Sequence, residues 1–158
     1  MKILYLLSFL ILMGSCASQN ADSNTQNTME NQKEQYETEA DEQLLGKWVL
    51  KYMSPVAGKT VKELYKIQMP YLTFVDSEKV AGNNGCNNLA GAYSAKGDVI
   101  QFETDKFLTT RMFCEGVDES AFRDMLKTIN RYTIVNEGKE LMLLTSDIVS
   151  MTFVKVED

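Results

Sequence analysis

The sequence predicts an α+β fold in which a curved antiparallel sheet, or partial β-barrel, packs against one helix. Two observations predict this class. Short segments rich in β-branched and aromatic residues recur between turn signals along most of residues 43–158. A single late segment instead spaces its apolar residues as a helix does.

The strands are predicted from alternation and from the turns that separate them. In the first strand, alternation places Trp48, Leu50 and Tyr52 on one face, and in a later strand it places Ile100 and Phe102 inward. Asn, Asp and Gly between the strands favour turns. The predicted strands span residues 47–52, 71–75, 79–82, 89–95, 99–103, 132–136, 140–145 and 152–156.

The helix is predicted to follow residue 118. Apolar residues recur there at positions i, i+3, i+4 and i+7, which gives one apolar stripe along a helix. Asp118 can cap the first turn, and the run ends at residues 130–131. The stripe consists of Phe122, Met125, Leu126 and Ile129.

Residues 1–15 are typical of a bacterial lipoprotein signal peptide. Lys2 precedes a mostly apolar stretch that is too short to span a bilayer, and two small residues lead to Cys16. A cysteine in this place resembles the lipobox cysteine, which receives a diacylglycerol and becomes the mature N-terminus. The alternative is an ordinary secretory signal peptide in which a cysteine stands at the cleavage site by chance. We expect lipidation at Cys16 and attachment to a membrane of the cell envelope through that lipid.

The residue after Cys16 indicates which membrane. Ala17 stands where an Asp would retain a lipoprotein at the inner membrane in enteric-type sorting. We therefore expect the periplasmic face of the outer membrane.

Residues 16–42 are predicted to form a disordered acidic tether. Between residues 17 and 42, seven acidic residues oppose Lys33, and large apolar side chains are almost absent. Residues 43–158, the predicted domain, contain fifteen acidic and fourteen basic residues and are therefore nearly neutral. A nearly neutral domain has no electrostatic footprint for nucleic acid, so we expect no nucleic-acid partner.

The inventory of reactive side chains argues against catalysis. The chain has no histidine, which excludes Ser-His-Asp and Cys-His mechanisms and removes the usual zinc ligand. It also has no glycine loop of the phosphate-binding kind and no run of liganding carboxylates. We predict a protein that is not an enzyme, with no catalytic residues, no cofactor and no metal site.

Two carboxylate pairs leave an alternative open. Glu103 with Asp105, or Asp118 with Glu119, could serve as general acid and base. Their positions in predicted loops and at a helix N-terminus favour a solvated or capping role instead.

The cysteines predict a disulfide. With Cys16 assigned to lipidation, Cys86 and Cys114 remain as an even pair in an oxidising compartment. A bridge between them would contribute about 3.5 kcal/mol in the chain-entropy description. The alternatives are two buried reduced thiols, or a reduced Cys114 whose pKa is lowered by nearby Arg111 and which acts as a nucleophile.

Two segments carry a resemblance to a known family. Residues 82–93 resemble the G-x-x-G-C-N-x-x-x-G-x-Y signature of the META/HslJ-like domain family, and residues 109–114 resemble its T-x-M-x-C segment. The segments 45–50 and 141–143 are also similar, whereas Phe113 stands where the family usually has Ala or Met. The motif positions are Gly82, Gly85, Cys86, Asn87, Gly91, Tyr93, Thr110, Met112 and Cys114. The resemblance implies an envelope lipoprotein for which the family supplies no catalytic residues.

The motif residues also have an interpretation from their own chemistry. Gly82, Gly85 and Gly91 suit positions of positive φ or close backbone approach, and the asparagines can bond to local backbone groups. The alternative is that Asn87 and Asn88 contact a ligand.

We therefore expect a non-catalytic module for envelope stress or maintenance that binds an envelope protein or a small hydrophobic ligand. The alternative is a carrier of a lipid or another small hydrophobic ligand, because a partial barrel closed by a helix can enclose an apolar cavity. An open cavity lined by Trp48, Phe74, Phe102 and Phe122 would favour the carrier, and a filled core would count against it.

Overall fold

The computed structural model describes residues 42–157. The predicted signal peptide, Cys16 and the predicted tether up to residue 41 lie outside the described residues, so these predictions stay untested. The strands are β1 (Gly46–Met53), β2 (Tyr71–Phe74), β3 (Lys79–Asn83), β4 (Asn88–Lys96), β5 (Val99–Phe102), β6 (Leu108–Thr109), β7 (Arg131–Val135), β8 (Glu140–Thr145) and β9 (Ile148–Lys155). Residues 42–44 are helical. The helices that follow are α1 (Val61–Leu64) and α2 (Glu119–Thr128), and a 3-10 turn covers Thr104–Lys106.

Eight of these strands close a barrel. They pair in the order β3-β2-β1-β9-β8-β7-β5-β4, and β3 also pairs with β4 from Lys79↔Ala92 to Asn83↔Asn88. The antiparallel sheet and the α+β class are confirmed, but a partial barrel is wrong because the ring is closed. Closure pairs β3 on both sides and removes the free edge that an open sheet would leave there.

Among the strand pairs of the ring, β5 and β7 share the fewest paired residues, and we call this pair the seam. Their ladder contains one residue pair, Val99↔Arg131. Two main-chain hydrogen bonds flank it, from Tyr132 N to Asp98 O at 2.9 Å and from Ile100 N to Asn130 O at 3.2 Å. On the solvent side, the Arg131 guanidinium forms ion pairs with Asp98 and Asp147. The pair with Asp98 adds a side-chain link at the seam.

The barrel interior is packed with side chains. The residues considered as a cavity lining are all buried members of one hydrophobic core: Trp48, Phe74, Phe102 and Phe122. The rings of Phe74 and Phe102 lie 6.2 Å apart, and Phe122 of α2 meets Phe153 edge-on at 6.4 Å. Phe122 thus brings α2 into contact with the barrel core, as its apolar stripe predicts.

Tyr52 does not lie on the buried face with Trp48 and Leu50, so that prediction is wrong. Its side chain is 45% exposed, and Met53 is buried instead. The register with β9 shifts between Leu50 and Tyr52. A β-bulge adds one residue to the strand and reverses the alternation beyond it.

The predicted helix is confirmed, including its cap. Asp118 Oδ1 accepts a hydrogen bond from Ala121 N at 3.2 Å. The sequence did not predict α1, the 3-10 turn or β6, because each is too short for a periodic pattern to appear. Within residues 42–157, no helix is long and apolar enough to cross a membrane.

Candidate functional site

The two motif segments meet beside the barrel. One is the turn of residues 83–88 between β3 and β4, and the other is the loop of residues 110–116 that follows β6. A disulfide joins Cys86 to Cys114 with their Cα atoms 5.9 Å apart, which is within the ordinary range for such bridges. The predicted disulfide is confirmed, so Cys114 is not a free nucleophile.

Asparagine side chains shape the 83–88 turn. Asn83 Oδ1 accepts from Gly85 N at 2.8 Å, and Asn84 Oδ1 accepts from Cys86 N at 3.2 Å and from Asn87 N at 2.7 Å. These are Asx-type bonds, in which a short side chain replaces a main-chain partner. Their effect is to present Cys86 and the Asn87 side chain toward the 110–116 loop.

Gly85 completes this turn. Its φ is +99°, a conformation that L side chains rarely adopt. A Cβ atom at this position would lie 2.4 Å from Cδ1 of the buried Tyr65 ring. Both constraints require glycine, in agreement with the architectural interpretation of the motif.

Asn87 clamps the loop to the turn. Its Oδ1 accepts from Met112 N at 2.7 Å and from Thr110 Oγ1 at 2.8 Å. Its Nδ2 donates to Met112 O at 3.0 Å and to Glu119 Oε2 at 2.5 Å. The residue is only 1% exposed, so its amide is occupied inside the domain. Asn88 is exposed, and its Oδ1 accepts from Asn83 Nδ2 at 3.1 Å.

Three further motif residues support the strands behind the site. A Cβ at Gly82 would lie 2.2 Å from Tyr71 O, and a Cβ at Gly91 would lie 2.0 Å from the Phe107 ring. These glycines therefore permit close approach of neighbouring groups. Tyr93 donates from its hydroxyl to Asp76 O at 2.8 Å.

The 110–116 loop presents apolar side chains to solvent although its backbone is fixed. Phe113, between the clamped Met112 and Cys114 of the disulfide, is 92% exposed. The Met112 side chain is 57% exposed, and Leu108 of β6 is also exposed. We name these three exposed residues of one chain segment, Leu108, Met112 and Phe113, the apolar ridge.

A groove lies between β6 and α2. It consists of two adjoining hollows of about 200 and 250 Å³, which share Phe107, Thr109 and Arg123 as lining residues. Glu119 lines one hollow, and Lys127 lines the other. The groove is thus walled by a strand on one side and by charged side chains of a helix on the other.

Comparison with known proteins identifies the family. The model of the META domain matches residues 42–158. The chain belongs to the META domain family. The resemblance carried by the two motifs is therefore confirmed, and the 83–88 turn and 110–116 loop contain residues that carry it.

Solved structures share the fold of this META domain. A protein from Burkholderia xenovorans, determined by NMR, superposes with a TM-score of 0.60 at 23% identity, covering 76% of this chain and 88% of that one. A second protein determined by NMR gives a TM-score of 0.52 at 21% identity, covering 73% of this chain and 93% of that one. No curated protein matches the chain. At such identities the likeness concerns the fold alone.

The carboxylates that sequence analysis weighed as acid and base have structural partners in the META domain. Glu103 pairs with Lys106 at 2.9 Å. Lys127 donates to Asp105 at 2.8 Å and lowers the pKa of that carboxyl. A hydrogen bond from the Ser120 hydroxyl is the main cause of the lowered pKa of Asp118. Asp105 and Asp118 are thereby held in the ionised form. Among residues 42–157, no three acidic or cysteine side chains are grouped so as to hold a metal ion.

Sequence reasoning missed the groove of the META domain. Phe107, Thr109 and Arg123 belong to no shared motif, and Arg123 lies on a different element from the other two. The charged face of the predicted helix was the available signal, but a charged helix face is usually solvated surface. The groove became apparent only with the placement of β6 beside α2.

Proposed function

We propose that this META domain protein is a lipid-anchored, non-catalytic module of the cell envelope that binds a partner protein through the apolar ridge. The observation that carries the proposal is the exposure of Phe113 on a backbone fixed by the Cys86–Cys114 disulfide and the Asn87 clamp. We place the protein at the periplasmic face of the outer membrane, in a stress or maintenance role.

A fixed and exposed aromatic side chain suits protein recognition. Phe and Met are enriched at protein interfaces, where large apolar anchors supply most of the binding free energy. The bonds from Asn87 to both main-chain groups of Met112 hold the loop before any partner arrives. Binding then loses little conformational entropy, which favours affinity.

The direction of the chain favours a protein partner over the bilayer. At the start of β1, Gly46 pairs with Phe74, whereas Val49 pairs with Tyr71, which in turn pairs with Asn83. The chain therefore enters β1 at the end of these strands that lies away from the 83–88 turn. A lipid on Cys16 would therefore attach the chain, through the predicted tether, at the end of the barrel away from the 83–88 turn.

The carrier alternative has less support. The aromatic residues that would line its cavity are packed into the core, and the hollows beside α2 are open grooves with charged walls. Apolar ligands are ordinarily held in concave sites that bury most of their surface. Met112 and Phe113 are exposed instead, and the apolar hollow of about 390 Å³ that Leu108 lines on β3 and β4 is shallow and open.

Copurification from the native envelope tests the proposal. The full chain, Phe113→Ser and Ile148→Ser would be extracted in mild detergent, and their associated proteins would be compared by quantitative mass spectrometry. Ile148 is the control, since it is 71% exposed and lies outside the ridge. We expect Phe113→Ser to lose an associated envelope protein by roughly tenfold or more, as for an interface anchor, and Ile148→Ser to retain it. Identical associated proteins for all three chains would overturn the proposal.

A further inference from the structure

We infer that Asn84 is a deamidation site that the native 83–88 turn protects and that reacts when this turn opens. The inference goes beyond the proposed function, because it concerns a covalent change within the chain and requires no partner. Three observations carry it: the Asn84-Gly85 dipeptide, the hydrogen bond that holds the Gly85 N–H, and the burial of the turn.

The reaction is an attack by the main chain on a side-chain amide. The Gly85 nitrogen loses its proton and forms a bond to Cγ of Asn84. The bond from Cγ to Nδ2 then breaks, and the nitrogen takes up a proton and leaves as ammonia, so that a succinimide ring remains. Water opens this ring at either of its two carbonyl carbons, which gives aspartate or isoaspartate at position 84.

The sequence makes position 84 the most reactive asparagine of the unfolded chain. Asparagine is among the thermolabile residues. A following glycine favours ring closure, because glycine has no Cβ beside the attacking nitrogen and lets the main chain reach the required conformation. Asn84-Gly85 is the one Asn-Gly step in the 158 residues. We therefore expect Asn84 to deamidate first wherever the chain is unfolded.

The native turn withholds the attacking nitrogen. The Gly85 N–H donates to Asn83 Oδ1 at 2.8 Å, so its proton is bonded within the protein. Asn83 is 5% exposed and Asn84 is 6% exposed, which keeps water and hydroxide away from that proton. Ring closure therefore requires the turn to open first.

The Asn84 amide is held in place as well. Its Oδ1 accepts from Cys86 N at 3.2 Å and from Asn87 N at 2.7 Å, and its Nδ2 donates to Glu119 Oε2 at 3.5 Å. The two donors to Oδ1 would also polarise the carbonyl and thereby favour attack. The bonded proton on Gly85 is thus the restraint that decides the outcome, and the Asn83 acceptor is the group that provides it.

The disulfide couples this protection to the redox state of the chain. Cys86 belongs to the turn and is bonded to Cys114, so the intact bridge limits how far the turn can separate from the 110–116 loop. Without the bridge, only non-covalent contacts hold the turn, and local opening becomes more frequent. Deamidation at Asn84 therefore marks chains that have lost the bridge or have unfolded.

Conversion would also weaken the turn that permits it. Isoaspartate adds one carbon atom to the main chain at position 84, which displaces the bonds to Cys86 and Asn87. Aspartate would instead bring a carboxylate close to that of Glu119, where Asn84 has an amide donor. Both products destabilise the closed turn, so opening becomes irreversible once the ring has formed.

Timed incubation with peptide mapping tests the inference. The detergent-solubilised full chain would be held at mildly alkaline pH, folded in one sample and in guanidinium chloride with a thiol reductant in another. Isoaspartate and aspartate at position 84 would be quantified by mass spectrometry. We expect conversion to be about tenfold or more slower in the folded sample, because it proceeds only through the open turn. Equal rates, or no conversion in the unfolded sample, would overturn the inference.

Matched variants then locate the protection in folded protein with the disulfide intact. Asn83→Ala removes the acceptor of the Gly85 N–H, and we expect conversion at Asn84 to become about tenfold faster. Asn88→Ala removes a partner of the Asn83 amide nitrogen but leaves that acceptor, and it should convert as the parent does. Equal rates in these two variants would contradict the role of Asn83.

Two further measurements do not depend on the folding of Asn83→Ala. Hydrogen exchange in the unsubstituted chain should be slow at the Gly85 amide, and rapid exchange there would overturn the protection. Replacement of both Cys86 and Cys114 by Ala should raise the rate of conversion above that of the parent, and an unchanged rate would contradict the coupling to the disulfide.

Discussion

The side chain of Asn87 binds both main-chain polar groups of Met112, accepting from its N–H at 2.7 Å and donating to its C=O at 3.0 Å. One buried side-chain amide thereby satisfies both main-chain hydrogen-bonding groups of Met112, as a neighbouring strand does for a residue in a sheet. The adjacent Phe113 is held in place without being buried. This relationship explains why a motif asparagine is needed here, and it connects the architecture of the turn to the surface that we propose for binding.

The clamp predicts a large effect of Asn87→Asp. The substituted carboxylate keeps the acceptor but replaces the amide donor that faces Met112 O and Glu119. We expect the free energy of unfolding to fall by about 2–4 kcal/mol, because a buried charge would face two acceptors. Urea denaturation at neutral pH would measure this loss.

The matched control is Asn88→Asp. Asn88 is exposed, and its contact with Asn83 uses the acceptor oxygen, which Asp retains. We expect the control to change stability by less than about 1 kcal/mol. Equal losses in the two variants would contradict a specific role for the Asn87 amide.

We expect the disulfide to stabilise the domain, although the 83–88 turn and the 110–116 loop are also joined by the hydrogen bonds of Asn87. Cys86 and Cys114 are 28 residues apart, so replacing both by Ala should lower the free energy of unfolding by about 3.5 kcal/mol in the chain-entropy description. We expect the variant to fold, because the Asn87 clamp remains. Denaturation of the variant and thiol counting by mass spectrometry on the parent would check this. Free thiols at both positions in the native parent protein would contradict it.

The phenol of Tyr65 predicts a loss of stability at alkaline pH. Burial, followed by the negative charge of Asp118, raises the pKa of Tyr65 above its ordinary value of 10.0. A group whose pKa is raised in the folded state contributes its full stabilisation at pH values below its unfolded-state pKa. This stabilisation is lost as the pH rises from the unfolded-state pKa through the folded-state pKa. Tyr65→Phe should therefore remove part of the destabilisation that the parent shows above about pH 10.

The control for Tyr65→Phe is Tyr93→Phe. Within the described residues, the Tyr65 hydroxyl is buried without a hydrogen-bond partner, whereas Tyr93 donates to Asp76 O at 2.8 Å. We expect Tyr65→Phe to be neutral or stabilising at pH 7, and Tyr93→Phe to cost about 1 kcal/mol. Thermal unfolding across pH 7 to 11 would compare them, and the reverse order at pH 7 would refute this account.

Sequence patterns predicted the elements whose signal is local. The strand around Trp48, the capped helix after Asp118 and the turn at Gly85 each follow from residue spacing within one segment. The disulfide between Cys86 and Cys114 was predicted from the number of cysteines and from the expected export to an oxidising compartment. Each of these needs no knowledge of distant partners.

What the sequence could not predict depends on which strands become neighbours. Closure of the barrel requires β3 to pair with both β2 and β4, and the bulge before Tyr52 becomes visible only through its register with β9. The groove requires β6, whose two residues carry no periodicity, to lie beside Arg123. Pairing across long separations is decided by the packing of the whole core, which a local pattern does not contain.

The anchor prediction concerns Cys16. We expect Cys16→Ser to accumulate as an unprocessed precursor that takes up no labelled palmitate, because we propose its thiol as the attachment point for the lipid. One acyl chain binds membranes only marginally, whereas two or three give stable attachment, so the variant should also leave the membrane fraction if it is processed at all. Incorporation of label by Cys16→Ser would show that the anchor lies elsewhere.

The central claim, that the apolar ridge contacts a protein, is tested most directly by photo-cross-linking in intact cells. A photoreactive phenylalanine analogue would replace Phe113 in one strain and the exposed Ile148 in another, and the products would be separated and identified by mass spectrometry. The account predicts a discrete protein adduct from position 113 and none of that identity from position 148. Adducts from position 113 that contain only lipid, or the same protein adducts from both positions, would contradict it.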